Sequence, residues 1–296
     1  MQKTGIILTS LAGFYDVEDS ATHEIITCRG CGRFRKDGQI LLVGDQVTYH
    51  LTEGQNGYIT KLNPRENQLT RPPIANVSLA LIVFSAKEPA FNIKFLDRLL
   101  AVIEAKQIKP VIIVSKIDLL TPTEAQNLEP TLHYYQKIGY LVIKTSTKSA
   151  TGLAEIKAVV NKEIVVICGQ SGVGKSSILN AIEQELKIEV NAISKALGRG
   201  KHTTRQVKLY KLAGGLVADT PGFSALELDE LVATDLKAAF IEFTQLQEMC
   251  KFRGCMHVNE PNCAVKNSVD TGELRKSRYE DYLQLLDEIQ NRKVKY

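Results

Sequence analysis

Gly169-Gln170-Ser171-Gly172-Val173-Gly174-Lys175-Ser176 fits the glycine-rich phosphate loop, G-x-x-x-x-G-K-[ST]. The glycines let backbone N–H groups turn inward around phosphate oxygens. The loop follows the apolar run Ile164–Cys168 and precedes a helical run from Ser176 to Glu185, whose N-terminus points at the same negative charge. Lys175 is suited to the β- and γ-phosphates, and the Ser176 hydroxyl to Mg²⁺. We take Gly169 through Ser176, with the adjoining Ser177, as nucleotide contacts.

Two further segments suit the same ligand. Asp219-Thr220-Pro221-Gly222 ends the apolar stretch Leu216–Ala218. There Asp219 can hold Mg²⁺ through water, and Gly222 can offer its N–H to the γ-phosphate. Between the two motifs lies His202-Thr203-Thr204-Arg205. One of its threonines can complete the Mg²⁺ shell, and Thr204 is preferred to Thr203. With Lys175 and Thr204, His202 is a candidate catalytic residue that could orient a water, although it is equally an ordinary loop histidine. After Gly222, where many GTPases carry a water-orienting Gln, stands Phe223. Slow intrinsic hydrolysis and activation by a partner are therefore expected.

Ser115-Lys116-Ile117-Asp118 resembles the guanine-selecting Asn-Lys-x-Asp. The Asp118 carboxylate can accept from guanine N1–H and the exocyclic amine, whereas adenine presents the opposite pattern. Lys116 can cover the base with its stem, and Ser115 departs from the usual Asn. Thr145-Ser146-Thr147-Lys148 resembles the loop whose backbone meets guanine O6, with Ser146 as the contact. These base readers precede the phosphate loop, the reverse of the usual GTPase order, so the domain is circularly permuted.

Cys250, Cys255, His257 and Cys263 form C-x₄-C-x-H-x₅-C. Three thiolates and one imidazole make a closed tetrahedral set suited to one structural Zn²⁺. Cys28-x₂-Cys31 could be half a metal site or a redox pair, but free thiols are the simpler reading. Cys168 reads as a buried strand residue.

The elements that must position these residues follow from the patterning. Short alternating segments and turns over residues 1–70, such as Val47-Thr48-Tyr49 and Tyr58-Ile59-Thr60 around the Gly54 turn, suggest a small antiparallel barrel. From residue 77, buried strands (77–85, 110–115, 140–144, 164–168, 216–219) alternate with helical stretches (91–106, 123–137), which implies a parallel sheet with helices on both faces. Beyond about residue 230 the chain becomes helical, and a last helix over 273–293 carries Leu274, Tyr282, Leu283, Leu286 and Ile289 near one face.

The chain has 296 residues, 44% hydrophobic and 24% charged, which excludes wholesale disorder and fibrous classes. No run reaches the roughly 18 apolar residues of a membrane helix, and no export signal is evident, so a cytoplasmic protein with reduced thiols is expected. The net charge of +4 permits an RNA partner. Residues 29–36 carry Arg29, Arg33, Arg35 and Lys36 without an acid. Residues 191–218 carry Lys195, Arg199, Lys201, Arg205, Lys208 and Lys211, again without one. Both runs suit an RNA backbone, with Phe34 available for stacking.

Together these motifs, with Val43-Gly44-Asp45, Asn63-Pro64-Arg65, Arg71-Pro72 and Gly200–Arg205, resemble the RsgA (YjeQ/YloQ) family of circularly permuted GTPases. The resemblance covers nearly the whole length. It implies an OB-fold barrel (residues 1–70), a GTPase domain (71–228) and a C-terminal helical zinc-binding domain (229–296). It further implies GTP/GDP, Mg²⁺ and one zinc, and a monomeric cytoplasmic factor for late maturation of the small ribosomal subunit. That subunit and its rRNA would be the partner that stimulates hydrolysis. The alternative is an RNA-binding assembly factor in which nucleotide is mainly a structural ligand. The intact Lys175, Ser176 and Asp219 favour the enzyme, and Asp118 disfavours an ATPase.

Overall fold

The computed structural model describes residues 2–52, 56–182, 207–219 and 231–292. Strands β1 (Lys3–Leu11), β2 (Phe14–Asp19), β3 (Ile25–Gly30), β4 (Gln46–Leu51) and β5 (Gly57–Leu62) close into a barrel in the order β1-β2-β3-β5-β4, with β4 returning to β1. Only the β3–β5 pairing within it is parallel. Alternation drives the closure: Ile7, Val17, Cys28, Val47, Tyr49 and Ile59 are fully buried inside. The short helix α1 (Gly32–Lys36) plugs this core with Phe34, which is 7% exposed. Phe34 is therefore a core residue and not the stacking surface its basic neighbours suggested. Cys28 faces the barrel interior, Cys31 stands at the N-cap position of α1 without a side-chain capping bond, and neither forms a disulfide.

A hairpin of β6 (Gln68–Thr70) and β7 (Pro73–Ala75) follows, docked on the barrel through a bridge between Val43 and Ile74. Asp45 holds the junction. It accepts from Arg65 Nε at 2.7 Å and from the Leu42 N–H at 2.6 Å, so the Val43-Gly44-Asp45 turn is locked to the chain leaving the barrel. Gly44 is obligatory there, since it has φ +88° and a Cβ would lie 2.1 Å from the Ala75 carbonyl oxygen.

Next come β8 (Leu79–Ser85), β9 (Lys109–Ser115), β10 (Leu141–Lys144), β11 (Ile164–Cys168), β12 (Lys208–Leu212) and β13 (Gly215–Asp219). They lie in the order β10-β9-β8-β11-β13-β12, all parallel except β12. The seven residues of β8 are all buried because the sheet is covered on both sides. Ala80, Ile82 and Phe84 face α2 (Ile93–Ala105) and α3 (Pro122–Lys137), while Leu79, Leu81 and Val83 face α4 (Leu153–Val160) and α5 (Lys175–Ile182). Sequence signals set the helix starts. Asn92 accepts from the Phe95 N–H ahead of α2, and Thr121 and Glu124 form a capping box with Pro122 at the first position of α3.

The chain ends in α6 (Ala233–Ala239), α7 (Ile241–Leu246), α8 (Ala264–Asp270) and α9 (Lys276–Asn291). Leu274 lies ahead of α9 but is buried, as are Tyr282, Leu286 and Ile289 on its inner face. A network that composition did not announce fastens this part to α2. Arg278, 2% exposed, donates to Asp97 and to Glu242 at 2.7 Å each, and its guanidinium stacks 4.5 Å from the Phe240 ring. The sheet is continuous with the barrel, since Thr9 of β1 pairs with Lys208 of β12. No described helix is long and apolar enough to cross a membrane.

Candidate nucleotide site and metal centre

Because β8, β9, β10, β11 and β13 run parallel, their carboxyl ends share one edge of the sheet. The Ser115, Thr145, Gly169 and Asp219 segments all leave from that edge, where open α/β sheets bind ligands. Gly169 turns out of β11 at φ +135°, so close to β8 that a Cβ would lie 2.1 Å from the Val83 carbonyl oxygen. Gly172 and Gly174 also take positive φ, and nothing lies within 4 Å of where their Cβ atoms would be. The loop is thus backbone around open space, and Val173 anchors it in the core at 0% exposure. Ser171 is exposed, while Gln170, Ser176 and Ser177 are half-buried.

Lys175 Nζ donates to the Gly169 and Gln170 carbonyls, 2.7 Å each. Burial pushes its pKa down, so an anion placed beside the loop would stabilise its charged form. The glycine-rich cradle and the half-buried amine fit a nucleotide polyphosphate, with Ser176 placed at the head of α5, where its hydroxyl would suit Mg²⁺.

The two segments expected to read the base close on each other. Asp118 sits in a single 3₁₀ turn, Ile117–Leu119, entered through Lys116 in the left-handed region at φ 57°. Its Oδ1 accepts from Ser146 Oγ at 2.6 Å, and its Oδ2 pairs with Lys148 at 3.1 Å. Ser146 and then Lys148 hold the Asp118 carboxyl below the usual range, so it is an acceptor at neutral pH. Lys116 reaches across to the Glu88 carbonyl at 2.5 Å. Ser115 does not face the base position. It is buried, and its hydroxyl lies 2.5 Å from the Val173 carbonyl and 3.1 Å from that of Phe84. It ties the base-reading strand to the phosphate loop.

The main chain of Asp219 closes β13 opposite Lys208. The expectations for Lys195, Arg199, Gly200, Lys201, His202, Thr203, Thr204, Arg205, Gly222 and Phe223, and for the Gly54 turn, lie outside the described residues.

At the C-terminal end, Cys250, Cys255, His257 and Cys263 converge. One donor atom from each lies within 4.8 Å of the others. His257 Nδ1 is 3.3 Å from Cys263 Sγ and 3.7 Å from Cys250 Sγ. Those spacings suit ligands about 2.0–2.3 Å from one shared ion. Burial pushes the Cys255 thiol up to about 12, so a neighbouring cation is what could make it a thiolate. The residues fit zinc. Glu260 accepts from the Met256 and Val258 N–H groups at 2.7 and 2.8 Å, and Tyr279 and Tyr282 of α9 donate to the His257 and Met256 carbonyls. This outer layer fixes the ligand loop.

A barrel hydrogen-bonded to a P-loop sheet whose base-reading loops precede the phosphate loop, with a thiol–imidazole cluster beyond, defines a circularly permuted GTPase. Residues 62–229 match the model of the RsgA GTPase, and residues 4–59 that of the RsgA N-terminal domain. The chain belongs to the RsgA family. It is 51% identical over 292 residues to the small ribosomal subunit biogenesis GTPase RsgA of Shouchella clausii, covering 99% of each chain. With the protein of that name from Bacillus subtilis it shares 46% over 298 residues, again 99% of each. The solved YloQ, a circularly permuted GTPase, superposes with a TM-score of 0.87 at 40% identity, covering 100% of this chain and 98% of that one. YjeQ from Thermotoga maritima superposes at 0.86 and 33%, covering 99% and 100%.

Proposed function

We propose that this protein binds the small ribosomal subunit, promotes its late maturation, and hydrolyses GTP when that subunit engages it. The carrying observation is the single sheet edge on which Lys175, Ser176, Asp118 and Ser146 converge, in a chain whose full-length relatives bear the name of a small-subunit biogenesis GTPase. Gly169–Ser177 cradle the phosphates, and Ser176, Thr204 and Asp219 hold Mg²⁺. Asp118, with Lys116, Ile117 and Ser146, selects guanine, Ser115 contributes to nucleotide binding by tying that strand to the phosphate loop, and Gly222 meets the γ-phosphate. Lys175 neutralises charge in the transition state, Thr204 positions Mg²⁺, and His202 orients the attacking water.

Residues 1–70 serve as the RNA-binding barrel, 71–228 as the GTPase and 229–296 as the zinc-bearing helical part. The protein works as a cytoplasmic monomer on ribosomal RNA. The test is multiple-turnover GTP hydrolysis with and without purified small subunits, with ATP as competitor. Strong stimulation by the subunit and indifference to ATP are expected. An unstimulated rate, or equal competition by ATP, would overturn the reading.

A further inference from the structure

Strand register aligns four side chains across the outside of the barrel. Phe14 of β2 pairs with Arg29 of β3, Arg29 with Tyr58 of β5, and Tyr58 with His50 of β4. Directly opposed residues share a face, so the four form one row on four adjacent strands. At ~4.8 Å per strand spacing, the row is about 14 Å long. Its members already touch: the Arg29 guanidinium lies 4.5 Å over the Phe14 ring, and the His50 and Tyr58 rings are 5.6 Å apart. All are at least partly exposed, Phe14 at 41%.

Positive charge flanks one end. Arg35 approaches Gly13 in the β1–β2 turn, and Arg33 of the same short helix is 83% exposed and held only by a surface ion pair with Asp37 at 3.1 Å, which a phosphate can displace. On the next row of the same face, Asp16 accepts from the Thr9 and Thr27 hydroxyls, which bounds the strip on that side. An apolar protein groove would not call for cations stacked among the rings. Duplex RNA offers phosphates but no free base faces to a row of rings.

We infer that this Phe14–Arg29–Tyr58–His50 row is a stacking platform for unpaired bases of single-stranded RNA, with Arg33 and Arg35 holding the adjacent phosphates. The inference rests on the ribosomal reading above and specifies what the barrel grips. Base stacking tolerates any sequence, because every base has a π-face.

The test uses the full chain and a single-stranded RNA of about a dozen nucleotides carrying one 2-aminopurine, within the site size of such barrels, against a duplex of equal length. The single strand should bind more tightly and its fluorescence should be quenched. Phe14→Leu combined with Tyr58→Leu keeps apolar bulk but removes the rings. It should lower affinity at least about tenfold, abolish the quench and leave the salt dependence unchanged. Arg33→Gln should instead flatten that dependence. Should the double variant fail to fold, Phe14→Leu alone gives the same comparison at a surface position. Equal binding of duplex and single strand, or unaltered affinity and quench in a folded variant, would overturn the inference. Subunit-stimulated GTP hydrolysis, measured on the same preparations, separates the cases: if it persists while the oligonucleotide result is negative, the platform falls and the ribosomal reading stands.

Discussion

The Ser115 hydroxyl has one proton and two carbonyls within reach, at Val173 and Phe84. Truncation to alanine would leave buried acceptors without their partner, at a cost of about 1–3 kcal/mol. Ser115→Ala should therefore lower the unfolding temperature and weaken GDP binding, while base preference is unchanged. Thermal unfolding with and without GDP, ITP and ATP checks both halves. The thiol–imidazole cluster makes a second residue-scale prediction. Protein purified without chelator should contain one zinc per chain by elemental analysis. Chelation or Cys263→Ser should unfold the segment around residues 250–263, since buried thiols and His257, whose Nε2 has no partner, cannot replace the ion by packing. The phosphate loop, Asp118 and the thiol cluster were legible because their chemistry dictates residue type at short spacing. The role of Ser115 was not, because its partner Val173 lies 58 residues away in the chain and the contact exists only once β8 sets β9 and β11 on its two sides.

Among the elements, α9 is held to α2 and α7 through Arg278. Its pattern of apolar residues was readable, but a core-facing Arg on a helix gives no sequence signal until Asp97 and Glu242 arrive from distant helices. Removing the charge with Arg278→Met would strand two buried carboxylates and cost about 3–5 kcal/mol. The acids around it are pH-sensitive. Burial, then Asp97, pushes Asp281 up to about 6, and burial pushes Glu104 up to about 7. Asp97 Oδ2 is buried without a donor, and Asp281 is close enough to Asp97 that protonating it would offer one. A carboxyl whose pKa is raised by folding contributes stability that is present below its unfolded value and lost as pH rises through the folded one. For Asp281 the window runs from about 4 to about 6. Asp281→Asn keeps a donor for Asp97 and cannot ionise. Relative to wild type, it should be near neutral at about pH 4 and stabilising above about pH 7. A difference that stays flat across that range in thermal unfolding would contradict the shared proton. On the barrel, Phe34 shows the opposite failure of reading: its basic neighbours mark a surface helix, but the side chain is the one that α1 buries. Phe34→Ala should destabilise the barrel by about 3–5 kcal/mol, measured by denaturant unfolding.

Across the whole molecule, one hydrogen-bonded sheet runs from the base-reading strands to the barrel through the Thr9–Lys208 pairing. Lys208 also pairs with Asp219, so the barrel meets the GTPase sheet beside the strand end that carries a motif residue. The permuted motif order was legible because it is a property of the chain. The junction was not, because β1 and β12 are far apart in sequence and share a single pairing. On the proposed function, this edge reads guanine through Asp118 and turns over in response to the small subunit. Subunit-stimulated hydrolysis of GTP and of xanthosine triphosphate by wild type and Asp118→Asn tests it most directly, since an amide can donate to the extra carbonyl of xanthine where the carboxylate cannot. Wild type should hydrolyse GTP, and the variant should lose this activity and gain xanthosine triphosphate turnover, each slow alone and strongly stimulated by subunits. A variant that still prefers GTP, or subunits that leave both rates unchanged, would contradict it.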